Sequence, residues 1–242
     1  MKIALCFWGL TRSLKYTINS IKEKVINNLE KHNIEYKIFL HTYETNEIYN
    51  NKRAREKNIK LDNYEYKLLK PDYLKIDNLE VVKKNINFKE YYTRGDPWYT
   101  NFQSLDNFIL AMYSKKELWK LIKNSNQKFD IFMFLRPDVR FLNNIKKEWL
   151  SIKDNEINIP FFHSYPRYYN FNDRFAICKY KIAECYSNIL DNALEYSKKF
   201  KLHSETYIRY NLEKTFQNIK INFINIKFNR VRANGIESID AK

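Results

Sequence analysis

Hydrophobic and polar residues alternate along the chain in blocks of two periods. Residues 2–8 form a short apolar run ended by Gly9, the pattern of a buried strand. Ser13 stands where a helix cap belongs, ahead of Leu14, Ile18, Ile21, Val25 and Leu29 at spacings of three and four. Residues 36–43, Tyr-Lys-Ile-Phe-Leu-His-Thr-Tyr, read as a second strand. Strand, helix, strand in that order predicts a βαβ unit with parallel pairing and a right-handed crossover.

Residues 44–89 are polar and weakly patterned, with short strands expected around 64–69 and 79–82. They read as an excursion over the sheet from one domain spanning 1–242. Arg94-Gly95-Asp96-Pro97-Trp98 reads as a loop before a long helix that carries Leu105, Phe108, Ile109, Met112, Trp119 and Ile122 on one face. Residues 129–135 are the most apolar strand. Strands at 157–162 and 174–180 follow, separated by an aromatic loop at 163–172. A helix at 182–200, another from near Ser204, and a closing strand at 221–228 complete the order, and 237–242 are expected to fray. No internal repeat or low-complexity linker interrupts it. The fold class predicted is α/β, with a mostly parallel, Rossmann-like central sheet flanked by helices.

Composition narrows the partners. The first apolar run is far short of the roughly 20 residues of a membrane span, and no later run comes closer. A cytoplasmic protein, or one of a host cytoplasm if viral, is therefore expected. Cys6, Cys178 and Cys185 are scattered and odd in number, which favours buried thiols over a disulfide or zinc site. The formal net charge of +15 favours phosphate, nucleic-acid, anionic-glycan or acidic-lipid partners. The lysines are spread along helix faces rather than packed in blocks, so charge alone keeps nucleic acid open without choosing it.

Ligands of parallel α/β sheets bind beyond the carboxyl ends of strands, so the residues that follow each strand are the candidates. After the first come Gly9, Thr11 and Arg12, where a tight turn, a hydroxyl and a guanidinium at a helix start suit a phosphate. The same residues also fit an ordinary βα turn. His41 and Thr42 end the second strand, as nucleotide contacts or as a core histidine and its neighbour. Arg136, Asp138 and Arg140 follow the strand at 129–135. Asp138 suits a divalent cation or a ribose hydroxyl, and equally an internal Arg–Asp ion pair.

The loop His163-Ser164-Tyr165-Pro166-Arg167-Tyr168-Tyr169-Asn170-Phe171-Asn172-Asp173-Arg174 joins aromatic faces to polar groups, as a sugar site requires. Such faces also stack bases. Asp173 and Glu205 are candidates for a general base, with Asp173 ranked first because Glu205 begins a helix, where the dipole makes it less basic. Glu205 is then expected to hydrogen-bond a sugar. Arg230 and Arg232 are candidates for contacts to a leaving diphosphate.

The run Ile3–Ser13 is similar to the opening of a group of glycosyltransferases from bacteria and large DNA viruses. Ile38-Phe39-Leu40-His41-Thr42-Tyr43 resembles that group's His-Thr strand, although the aspartate that often opens it is replaced here by Tyr36 or Lys37. Ala111–Ser114, Leu135–Phe141, Asn172–Ala176, His203–Glu205 and Arg230–Arg232 follow in the expected order. The resemblance spans nearly the whole chain outside 44–89. It implies a GT-A-like fold and transfer of a hexose or deoxyhexose from a nucleoside-diphosphate sugar to a hydroxyl of a glycan or glycoconjugate. It also implies Mn2+ or Mg2+ at a D-x-D motif. Here Arg140 fills the third position of that motif, leaving Asp138 as the one metal-ligating carboxylate and Arg140 as an alternative counter-charge. A nucleotidyltransferase acting on sugar phosphates shares this chemistry but usually brings a Gly-rich phosphate loop, and only Gly9 is present. A nucleic-acid-binding protein is the non-enzymatic alternative, without a helix-turn-helix, zinc or RNP-type motif.

Overall fold

The computed structural model describes residues 1–164 and 172–240. β1 (Lys2–Trp8) is buried at every position after Lys2, as a strand covered on both faces must be. α1 (Leu14–Ile21) runs through a π-helical turn at Lys22–Ile26 into α2 (Asn27–Lys31). Leu14, Ile18, Ile21, Val25 and Leu29 are all buried, and the widened turn buries Ile26 beside Val25. Ser13 sits at the N-cap position without capping, because its hydroxyl donates instead to the Val231 carbonyl at 2.9 Å. β2 (Glu35–Glu44) pairs in parallel with β1, Trp8 opposite His41.

The excursion departs from expectation. β3 (Tyr49–Asn51) and β4 (Glu56–Ile59) form an antiparallel hairpin. A 3-10 turn at Glu65–Leu69 replaces the strand expected at 64–69. The chain then adds β5 (Tyr73–Asn78) to the sheet, parallel to β2. This edge strand is mostly half-exposed, so the sequence gives it no apolar run to announce it. Residues 79–82 begin α3 (Leu79–Asn85) rather than a strand, capped by Asn78, whose side-chain oxygen accepts from the Val81 N–H at 2.9 Å.

α4 (Gln103–Asn124) buries its predicted face and leads to β6 (Ile131–Leu135), buried throughout, and β7 (Val139–Phe141). β8 (Glu156–Pro160) and β9 (Phe175–Cys178) follow. The helix expected at 182–200 is two, α5 (Tyr180–Ser187) and α6 (Leu190–Lys199), with Asn188 ending the first by donating its side-chain amide to the Glu184 carbonyl. α7 (Ser204–Thr215) precedes β10 (Lys220–Ile224), β11 (Phe228–Val231) and β12 (Glu237–Ser238). The strand expected at 221–228 is thus split as the chain passes from one sheet to another. Of the end expected to fray, residues 237–240 are held by β12 pairing with β11 and by Asp240, which accepts from Arg230 at 2.6 and 2.7 Å, and residues 241–242 lie outside the described residues.

Among the described residues, the main sheet has the order β10-β8-β9-β6-β1-β2-β5 and is parallel except for β9, while β12-β11-β7 form a small antiparallel sheet. The protein is therefore α/β, with a mostly parallel central sheet flanked by helices. Alternation along β1 divides the core, because successive side chains point to opposite faces. Ala4, Cys6 and Trp8 pack with α4 to α7, and Ile3, Leu5 and Phe7 with α1 and α2. The three cysteines are free thiols, Cys6 and Cys178 fully buried. No helix of the described residues is long and apolar enough to cross a membrane.

Candidate active site

The carboxyl ends of β1, β2 and β6 and the start of antiparallel β9 meet at one end of the sheet. A cleft of about 860 Å³ opens there. Trp8 and Gly9 form part of its floor, Arg136 and Asp138 follow β6, Asp173 and Arg174 precede β9, and Ser204 and Glu205 begin α7. Arg230 and Arg232 enter from β11, and the β3–β4 hairpin brings Tyr49 and Arg53. A hollow of about 1200 Å³ at the other end of the sheet, bordered by Met1, Asp130, Lys179 and Tyr180, gathers no comparable set of converging charges.

Gly9 adopts φ +92°, a backbone region that side-chain-bearing residues rarely take, and so turns the chain sharply out of β1. Its N–H donates to the Ser114 hydroxyl at 2.9 Å. That hydroxyl lies 2.7 Å from His41 Nδ1, and His41 Nε2 lies 3.1 Å from Asp77. The order serine, histidine, carboxylate looks like a hydrolytic triad, but Ser114 and His41 have no exposed surface. Burial lowers the His41 pKa despite the opposing pull of Asp77, which keeps the ring neutral. The set is a clamp beneath the cleft floor.

Gly9, Arg12, Arg136, Asp138, Asp173, Glu205, Arg230 and Arg232 line the cleft, and four sequence candidates do not. His41 and Thr42 are buried within the sheet, as is Thr11 in the turn after β1. Arg140 turns away through strand alternation between the buried Val139 and Phe141, reaching Glu237 at 3.2 Å and the Tyr16 carbonyl at 3.3 Å. Residues 165–171 of the aromatic loop lie outside the described residues. Sequence reasoning missed Tyr49 and Arg53, which sit in the unpatterned excursion, and Lys115, hidden in the lysine-rich polar face of α4.

Asp138 is 2% exposed and holds two guanidinium groups. Arg136 donates to both its oxygens, through Nε at 2.7 Å and through Nη2, and Arg12 Nη2 donates at 3.1 Å. Burial opposes the Asp138 charge, but Arg136 and then Arg12 prevail and hold the carboxyl well below the usual range. Arg12 also donates to the Tyr49 hydroxyl, which fixes the hairpin over the floor.

Asp173 and Glu205 flank Arg174, at 3.8 and 3.6 Å from its nitrogens. Burial, reinforced by Asp173, pushes Glu205 up to about 7. Asp173 moves the other way: burial opposes its charge, but Arg174, Lys115 and Arg136 lower its pKa. One Asp173 oxygen has no hydrogen-bond partner among the described residues. Lys115 lies below, 1% exposed, its ammonium 4.5 Å from the Trp8 ring centre and 4.2 Å from that of Tyr186. Burial brings its pKa down to about 7.

Arg53 and Arg232 form no ion pair among the described residues, and both are held below the ordinary arginine pKa, by burial first and then by neighbouring arginines. Six arginines line the cleft: Arg12 and Arg136 are held by Asp138, Arg230 by Asp240, and Arg174 lies between Asp173 and Glu205. Of the other two lining carboxylates, Glu47 pairs with Lys83 and Asp106 accepts from Tyr92.

The donor set as it stands does not fit Mn2+ or Mg2+ at Asp138, the expected metal ligand. Hard cations take several oxygens, commonly from carboxylates, whereas both Asp138 oxygens already accept from guanidinium groups. No group of three or more His, Cys, Asp or Glu among the described residues is placed to hold a metal. Residues 165–171 and 241–242 contain none of these types.

No protein-family model matches the chain, and no curated protein matches it. Solved structures that align with it include mouse xyloside xylosyltransferase 1 in its apo form, at 9% identity and a TM-score of 0.43 over 93% of this chain and 85% of that one. The mannosyltransferase Ktr4p of S. cerevisiae aligns at 12% identity and a TM-score of 0.47, over 94% of this chain and 69% of that one. The galactosyltransferase LgtC, in complex with donor and acceptor sugar analogues, aligns at 13% identity and a TM-score of 0.44, over 92% of this chain and 73% of that one. Alignments at this level leave the functional reading to the cleft itself.

Proposed function

We propose that the cleft binds a nucleoside-diphosphate sugar and that the protein transfers the sugar, a hexose or deoxyhexose, to a hydroxyl of a glycan acceptor. The observation that carries this reading is the meeting of surplus arginines with an unequal carboxylate pair at the carboxyl end of the sheet. Arginine forks match phosphate oxygens in two-point contacts. A carboxylate poised near neutrality is suited to take a proton from a hydroxyl at working pH. The half-buried Trp98 indole supplies apolar surface of the kind a sugar ring or base covers.

In the proposed step the acceptor oxygen bonds to the anomeric carbon as the bond from that carbon to the diphosphate breaks. The hydroxyl proton passes to Glu205, and the nucleoside diphosphate leaves with the electron pair, its charge met by the arginines. Glu205 is the proposed base in place of Asp173, because the arginines and Lys115 keep Asp173 ionised and weakly basic. Asp173 then orients Arg174 beside the proposed base. A ligand that binds only the native state raises the unfolding midpoint. A thermal-shift series is therefore expected to show stabilisation by at least one nucleoside diphosphate and its sugar. Stabilisation by oligonucleotides alone would overturn the reading in favour of nucleic-acid binding.

A further inference from the structure

We infer that the donor diphosphate is held by arginines without a divalent cation, an inference that rests on the cleft being a nucleoside-diphosphate-sugar site. A metal bound through carboxylates joins their negative charge to that of the diphosphate. At Asp138 that balance is already reversed: one carboxylate meets Arg12 and Arg136, leaving one net positive charge on the cluster. A dication placed there must displace guanidinium nitrogens hydrogen-bonded to both carboxylate oxygens and then stand beside the two arginines it displaced. A diphosphate meets the opposite situation. Arg12 and Arg136 are pre-oriented by Asp138, so little side-chain freedom remains to be lost on binding. Arg53 and Arg232, without carboxylate partners among the described residues, supply the unmatched charge.

Asp173 and Glu205 also line the cleft, but the Arg174 guanidinium lies between them and competes with a cation for both, while Glu47 pairs with Lys83 at 3.1 Å and Asp106 accepts from Tyr92 at 2.7 Å.

The test is calorimetric titration of the full chain with UDP, GDP, CDP and dTDP, each in EDTA and in Mn2+. For the nucleotide that binds, the two dissociation constants are expected to agree within about threefold, and Arg232→Gln, which breaks no ion pair, is expected to weaken binding in EDTA about tenfold or more. Affinity more than about threefold tighter in Mn2+, or an Arg232→Gln affinity unchanged in EDTA, overturns the arginine-held diphosphate while leaving the donor site standing. No binding of any of the four in either buffer overturns the donor site itself.

Discussion

At the scale of single residues, Asp173 and Glu205 are driven apart by their surroundings: burial lifts Glu205, but at Asp173 it is outweighed by Arg174, between the two, and by Lys115, a buried ammonium on α4. Because Glu205 is lifted to about 7, its basic form accumulates as pH rises through that value. The pH profile of kcat/KM is expected to rise through about 7 and to lose that limb in Glu205→Gln; the same limb in the variant would assign it to another group.

Stability carries the opposite sign. A carboxyl whose folded pKa lies above its unfolded value favours the fold while protonated, and that contribution is lost as pH climbs from the usual carboxylate range to about 7. Asp138, depressed by Arg136 and Arg12 against the cost of burial, contributes stability above the usual carboxylate range and loses it as pH falls toward its folded value. Asp138→Asn leaves two guanidinium groups without their counter-charge and is expected to cost about 3 kcal/mol, read from denaturant midpoints at neutral pH. A midpoint that does not move would show that the ion pairs add nothing net.

At the scale of elements, strong periodicity was legible and edges were not. β1, α1, β2, α4 and β6 follow from apolar runs or three-and-four spacing, because burial on one or both faces writes those patterns. β5 is an edge strand, mostly half-exposed, and it left no such trace. The split of β10 from β11 and of α5 from α6 is set by changes of sheet and by a side-chain cap. His41 illustrates the same limit: the sequence marked a histidine at a strand end, while its neighbours Ser114 and Asp77 come from a helix and an unforeseen strand. Ser114 holds both the Gly9 N–H and the His41 ring. Ser114→Ala leaves the buried His41 Nδ1 without its partner and the Gly9 N–H with the His41 carbonyl alone, and is expected to destabilise the fold by about 1–2 kcal/mol. It should also weaken nucleotide binding by loosening the turn that forms the floor. A variant of unchanged stability would remove the clamp from the account of how β1 ends.

At the scale of the whole molecule, the net charge of +15 acquires a location. Lysines spread over the surface raise the general attraction for anions, while six of the eleven arginines line one cleft where carboxylates hold several in place. Topology brings them together: β11 returns from the small sheet to deliver Arg230 and Arg232 opposite Arg12 of the first turn, and the excursion adds Arg53 from above. The cleft is proposed to move a sugar off a nucleoside diphosphate. The most direct measurement is nucleoside-diphosphate release from a panel of nucleotide sugars in the presence of glycan acceptors, with the acceptor's gain in mass followed in the same reaction. The wild-type chain is expected to release diphosphate and extend an acceptor with at least one donor, and Glu205→Gln to do so roughly a hundredfold or more slowly while still binding the nucleotide. A folded wild-type chain that binds nucleoside diphosphates yet transfers from none of the donors, or a Glu205→Gln variant as fast as wild type, would contradict it.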